Sequence, residues 1–189
     1  MRNGDATSRS TYRSKIVGRR VSVGFIEAEI VAGACGSRPI RIARLSLQVV
    51  RRIHFSAGHR LVGHEGACAF LHGHNYLVFI HAAGELDPVG RVIDFAILKE
   101  RVGGWILENW DHGFIVAAHD VDARRAITAF SSGGLKQKTY VLDRNPTAEN
   151  MARFLALEVS PRVLEGTGVK VVKIVVQETE NCFAECVVE

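Results

Sequence analysis

Two histidines separated by one glycine follow a cysteine in "CAFLHGHNY", Cys68 to Tyr76. On an extended backbone, side chains two apart leave the same face, so His72 and His74 can aim two imidazoles at one point. A divalent metal ion suits such a pair, and zinc takes neutral imidazole readily. Taken alone, an H-x-H more often holds one surface histidine and one hydrogen-bonded in a core. A third donor shifts that balance. His59, in "HFSAGHRL", comes to the same end as the H-x-H if the segments on either side pair as strands. Three imidazoles leave a fourth position open, which is the arrangement of catalytic rather than structural zinc. His54, inside the preceding stretch, and His64, in the glycine-flanked "VGHEGA", compete for the third place and rank lower.

Cys68 has two possible uses beside such an ion. A nearby cation lowers a thiol's pKa, so Cys68 can act as a thiolate base. It can also complete a Cys-His-His ligand set. The first use is favoured because three histidines already suffice. Against both stands the commonest fate of a free cysteine, which is to be buried and inert. Asp111–His112 is a second pair: a carboxylate that orients an imidazole sets its tautomer and raises its basicity. Glu178 closes a third extended stretch on the face of Val172, Ile174 and Val176. A carboxylate there needs a partner, and a ligand edge with adjacent N–H donors would supply one. "CFAEC" (Cys182, Cys186) reads as a strand with cysteines at alternate positions rather than a metal pair.

The elements that would carry these groups are legible from Leu45 onward. Leu45, Leu47, Val49, Ile53 and Phe55 alternate with mostly polar neighbours, the period of a half-buried strand. "HNYLVFIHAAG" is a second strand, and the two predict a hairpin whose long loop bears Cys68. Asp94 is placed to cap a helix with Phe95, Leu98, Val102 and Trp105 or Ile106 at helical spacing. Gly103 and Gly104 weaken its middle by about 1 kcal/mol each. Residues 113–144, with Ser-Ser-Gly-Gly at their centre, read as a long, partly mobile insertion. In "NPTAENMARFLALEVSP", Asn145 suits an N-cap and Pro146 the first helical position, with Met151, Phe154, Leu155 and Val159 as apolar stripe and Pro161 as stop. "VKVVKIVVQET" and "FAECVVE" are a third and fourth strand. The expected fold is α+β: a four-stranded antiparallel sheet with two helices on one face.

The chain's 189 residues suit one domain, here residues 45–189, with 47% hydrophobic content. Its net charge of +4 divides unevenly: +8 over residues 1–52 and −4 over 53–189. The basic character thus belongs to the N-terminal extension, residues 1–44, expected to be a flexible tail, and not to the domain. That argues against nucleic acid as a partner. No apolar run reaches membrane-spanning length. With four cysteines, no secretory pattern and a chain large enough to need no disulfides, the expectation is reduced thiols and a cytoplasmic location.

Taken together, "FSAGHRL", "CAFLHGHNY", "VIDFAILK", "DH", "NPTAEN" and "QET" resemble the 6-pyruvoyltetrahydropterin synthase / 6-carboxytetrahydropterin synthase family, in the right order from about Leu45 to the C-terminus. The resemblance implies a tunnelling fold, self-association to trimers that stack into hexamers, and sites at subunit interfaces. It implies zinc on His59, His72 and His74, Cys68 as the proton-abstracting thiol, His112 held by Asp111 as the other acid/base group, and Glu178 as anchor of the pterin. The family's substrate is 7,8-dihydroneopterin triphosphate. The short gap between Cys68 and the His-Gly-His looks like the branch that forms 6-carboxytetrahydropterin, on the way to queuosine, rather than the pyruvoyl product. Lys136, Lys138 and Arg144 are candidates for the triphosphate on charge alone. The alternatives are the pyruvoyl-forming lyase, a non-catalytic pterin-binding relative, or a zinc hydrolase, for which the loop offers only Glu65 as base.

Overall fold

A computed structural model of the chain describes residues 46–130 and 134–189. The basic extension, residues 1–44, lies outside them. Strands β1 (Val49–His59) and β2 (His72–Ala83) form the expected hairpin, paired antiparallel from Val49↔Ala82 to His59↔His72. Helix α1 spans residues 95–109, α-helical over Phe95–Leu98 and Gly104–Asn109 with a π-turn, Lys99–Gly103, between. Then come β3 (Gly113–Ala117), α2 (Val121–Ala129) and β4 (Thr139–Leu142). Helix α3 spans 148–163 and also contains a π-turn, Leu155–Val159. Strands β5 (Lys170–Thr179) and β6 (Cys182–Val187) close the chain.

The expected four-stranded antiparallel sheet is one part of a larger one. Six strands lie in the order β4-β3-β1-β2-β5-β6, and β3 and β4 run parallel to β1 and to each other. Both extra strands come from residues 113–144. They escaped the period-two pattern because both are short and because β3, buried on both faces, reads as a continuous apolar run. Ile115, Val116 and Ala117 are all buried, and Ile115 and Val116 serve different cores. There is also a third helix, and it lies on the other face. Val116 and Phe114 of β3 pack with Ala123 and Ile127 of α2, apart from the main core that α1 and α3 share with the sheet.

The main core follows the alternation. Ile53, Phe55 and Ala57 of β1 and Tyr76, Val78, Ile80 and Ala82 of β2 are buried, covered by Leu98, Val102 and Ile106 of α1 and Met151, Leu155 and Val159 of α3. Asp94 caps α1 as expected, accepting from the Ala96 N–H at 2.8 Å. Gly103 has a packing reason: a Cβ there would lie 2.6 Å from Ile53 Cδ1, so the missing side chain lets α1 sit down on β1. Pro161 does not stop α3, which continues to Val163. A π-turn precedes it, closed by the Ser160 N–H bonding back to the Leu155 carbonyl.

Candidate active site

The apolar stripe of the hairpin turns into imidazole at one end. His59 continues the face of Ile53, Phe55 and Ala57, and His72 and His74 continue that of Tyr76 and Val78, so the register alone makes the three converge. Ala57 stands opposite His74, a small residue beside a large ring. Ring centroids are 4.5 Å apart for His59–His72, 5.1 Å for His59–His74 and 4.9 Å for His72–His74. One nitrogen from each lies within 4.8 Å of the others. His54, on the alternate face, and His64, whose Nδ1 accepts from the Gly66 N–H, stay outside the cluster. Gly73 does not clear space for an ion, since its Cα faces away from the imidazoles. A Cβ there would come within 3.0 Å of the Ala57 carbonyl oxygen, so glycine lets the two strands approach.

The donor set fits a metal ion, and two backbone carbonyls show why. His59 Nδ1 is 2.8 Å from the Pro146 carbonyl oxygen, and His72 Nδ1 is 2.8 Å from that of Phe70. A carbonyl only accepts, so both Nδ1 atoms carry the proton and both Nε2 atoms keep a bare lone pair in the neutral ring. Those Nε2 atoms stand 3.1 Å apart. Two lone pairs at that distance repel unless a cation lies between them. Tetrahedral zinc with Zn–N near 2.0–2.1 Å places its nitrogens about 3.3 Å apart. Burial pushes His59 down to about 4, and it lowers His74, with His72 adding to the effect. Both rings are thus kept in the neutral form that a metal needs.

Around the trio sit groups that await a partner. Glu178 Oε1 is 4.0 Å from His59 Nε2, and burial, with the charge of Glu149 adding, raises its carboxyl. Tyr76 is fully buried beside His59 and His74, and its phenolic oxygen has no hydrogen-bond partner among the described residues. Cys68 is a free, half-buried thiol in the short turn Ala67–Ala69, whose backbone is tied to β1 by the Leu61 N–H bond to the Cys68 carbonyl at 2.8 Å. It stands outside the three-nitrogen cluster, though within electrostatic reach of the Tyr76 phenol.

Asp111 and His112 do touch. His112 Nδ1 donates to Asp111 Oδ2 at 2.9 Å, while Asp111 Oδ1 accepts from the Ser56 N–H at 2.9 Å. Asp111's carboxyl is held below its usual range by those bonds against the opposing effect of burial. Yet the structure does not bring His112 into the cluster. Its side chain is 82% exposed and lines an open groove with Ser56, Gly58, Gly73 and Asn75, the residues that alternate with the trio's, although His74 also reaches that groove.

The segment "NPT" has a different role from the one expected. Thr147, not Asn145, caps α3, accepting from the Asn150 N–H. Asn145 instead bonds both backbone groups of Val62, at 3.0 and 2.9 Å, and so holds the chain after His59 while the Pro146 carbonyl accepts the hydrogen bond from His59 Nδ1. The cue was present, since Thr-x-x-Asn is as good a capping pattern as Asn-Pro. The bidentate Arg60–Asp120 pair, which ties the residue after His59 to the cap of α2, left no local sequence cue.

With this geometry in hand, comparison with known proteins is decisive. The profile of the family described as 6-pyruvoyl tetrahydropterin synthase matches residues 48–189. The chain belongs to the 6-pyruvoyl tetrahydropterin synthase family. Within this family, a Rickettsia bellii protein named 6-carboxy-5,6,7,8-tetrahydropterin synthase is 41% identical over 140 residues, 74% of this chain and 99% of the relative. A solved structure of an uncharacterised Wolinella succinogenes protein matches with a TM-score of 0.66 and 25% identity, covering 76% of this chain and 98% of that one. Caenorhabditis elegans 6-pyruvoyl tetrahydropterin synthase shares the fold, with a TM-score of 0.53, 24% identity, and 76% and 96% coverage.

Proposed function

We propose that this chain is a zinc-dependent lyase that converts 7,8-dihydroneopterin triphosphate and one water to 6-carboxy-5,6,7,8-tetrahydropterin, releasing acetaldehyde and triphosphate, in the cytoplasmic route toward queuosine. A tetrahydropterin synthase role is supported by family membership and by the names of relatives that align over nearly their whole length. The observation that carries the metal reading is the pair of carbonyl-locked imidazoles whose bare nitrogens face each other at 3.1 Å, with His74 as third donor. His59, His72 and His74 would hold the ion. When bound, zinc supplies Lewis-acid stabilisation of a side-chain alkoxide.

The chain's own groups take the remaining roles. Glu178, a carboxylate short of partners, binds the 2-amino and N3–H edge of the pterin in bidentate fashion. Cys68 abstracts a proton from the substrate side chain. His112, oriented by Asp111, exchanges the second proton. Because His112 sits on the face away from the trio and is exposed, the complete site is formed between subunits in a trimer or hexamer. The exposed edge strands β4 and β6 of a single chain support that assembly.

The test is incubation of the zinc-loaded chain with 7,8-dihydroneopterin triphosphate and mass analysis of the pterin. The carboxylated product with acetaldehyde is expected. A pyruvoyl pterin would move the chain to the sister branch, and unchanged substrate would make it a pterin binder.

A further inference from the structure

The Asp111–His112 pair depends on a backbone that no local interaction favours. His112 has φ 56°, the one positive φ outside glycine among the described residues, and an L side chain there costs energy. Its N–H is tied to the Ser56 carbonyl at 2.7 Å. The carbonyls just before it belong to the end of α1, where the last helical C=O groups lack partners. One side chain, from beyond the turn, satisfies one of them together with the carbonyl of Asp111. Lys138 Nζ donates to the Asp111 carbonyl at 2.8 Å and to the Leu107 carbonyl at 3.2 Å.

The same residue grips the other side of the turn. The Lys138 carbonyl accepts from the Phe114 N–H at 3.0 Å. Its stem lies over Gly113, where a Cβ would come within 3.1 Å of Lys138 Cγ and Cδ, so glycine is what lets the lysine cross. An ammonium at a helix C-terminus also opposes the negative end of the dipole.

We infer that Lys138 is a positioning residue for the acid/base imidazole, clamping the Asp111–Gly113 turn, and not a contact for substrate phosphate. Three rotatable donors on a compact charge suit two divergent carbonyls, and with both bonded the ammonium is committed to the backbone. This rests on the reading of His112 as an acid/base group, but its structural half can be tested without turnover.

The experiment compares the full-length zinc-loaded chain with Lys138→Met and Lys138→Arg. Thermal unfolding of each variant shows that it is folded. Steady-state kinetics with 7,8-dihydroneopterin triphosphate give kcat and KM separately, and 15N-labelled histidine reports the His112 ring. The expected result for Lys138→Met is a kcat lower by about tenfold with KM within about twofold, as for an interaction that orients a reacting group. The His112 ring resonances shift with it. Lys138→Arg, which keeps the charge and the donors, recovers at least part of kcat and the wild-type ring signature. A raised KM with unchanged kcat would make Lys138 a phosphate contact and overturn the inference. Unaltered kinetics with an unaltered ring signature would overturn it as well. Should the wild-type chain itself prove inert, the proposed activity fails, while the ring resonances still decide whether Lys138 sets His112.

Discussion

The end of the β1–β2 hairpin and the Asp111–Gly113 turn are neighbours, since Ala57 pairs with Gly113 across β1 and β3. They are built in opposite ways. The imidazole trio sits on regular strands, with His59 buried and two tautomers locked by backbone carbonyls. It is complete within one chain. The turn holds a residue at positive φ, leaves His112 open to solvent and relies on Lys138 from β4's approach. Under the proposed function this contrast is expected: groups that would hold a metal ion are best fixed in advance by their hydrogen-bond partners, whereas a proton-transfer group that would meet substrate at a subunit interface has to stay open.

Substitutions can separate the two regions. The largest effect is expected from His72→Ala, which removes a donor. Turnover falls by at least about 10³-fold and bound zinc drops well below one per chain by elemental analysis, because Lewis-acid stabilisation is lost with the ion. The His112 ring resonances stay where they are. If they moved too, the two regions would be one cooperative unit. Cys68→Ala should reduce kcat by about 10²–10⁴-fold, the usual contribution of a general base, while zinc content remains near one per chain. Zinc lost from this variant would make Cys68 a ligand and the trio incomplete.

Acid sharpens the contrast next. His59 titrates near 4 in the folded metal-free chain, below its ordinary 6.5, because burial disfavours its charged form. Above pH 6.5 the ring is neutral whether the chain is folded or unfolded, and it contributes nothing. As pH falls, the unfolded chain takes up the proton first, so stability is lost between pH 6.5 and about 4. Denaturant unfolding of metal-free protein should therefore lose on the order of 2 kcal/mol between pH 7.5 and 4.5 from this residue. His59→Gln should flatten that part of the curve. The smallest effect is expected from Asn145→Ala, which frees Val62 but leaves all three ligands. Zinc affinity, measured by competition with a chelator, should weaken by about tenfold. Unaltered affinity would mean that Pro146 alone suffices to orient His59.

Particular residues show how far the sequence could be read. Period-two alternation was legible from Leu45 to Phe55 and again in the segment that follows the His-Gly-His, and one assumed hairpin brought His59 to the same end as His72 and His74, ranked above His54 and His64 for the third place. The extra strands were not legible, because four or five residues are too few to establish a period, and β3 is in addition buried on both faces. Asn145 and Pro146 looked like a helix start because capping rules are local. Their use, bonding Val62 and accepting the hydrogen bond of His59 Nδ1, spans more than 80 residues of chain. Lys138 looked like a free charge for the same reason.

The sequence by itself determined which groups share a face, since side-chain direction along a strand is a matter of parity. It therefore put His72 with His74 on one face and left His59 as the favoured third donor. Only the tertiary structure decided which nitrogens face inward, where His112 lies relative to the trio, and what holds the turn that carries it. Those depend on carbonyls and ammonium groups brought together by chain closure, and hydrogen bonds across such distances leave no periodic trace along the chain.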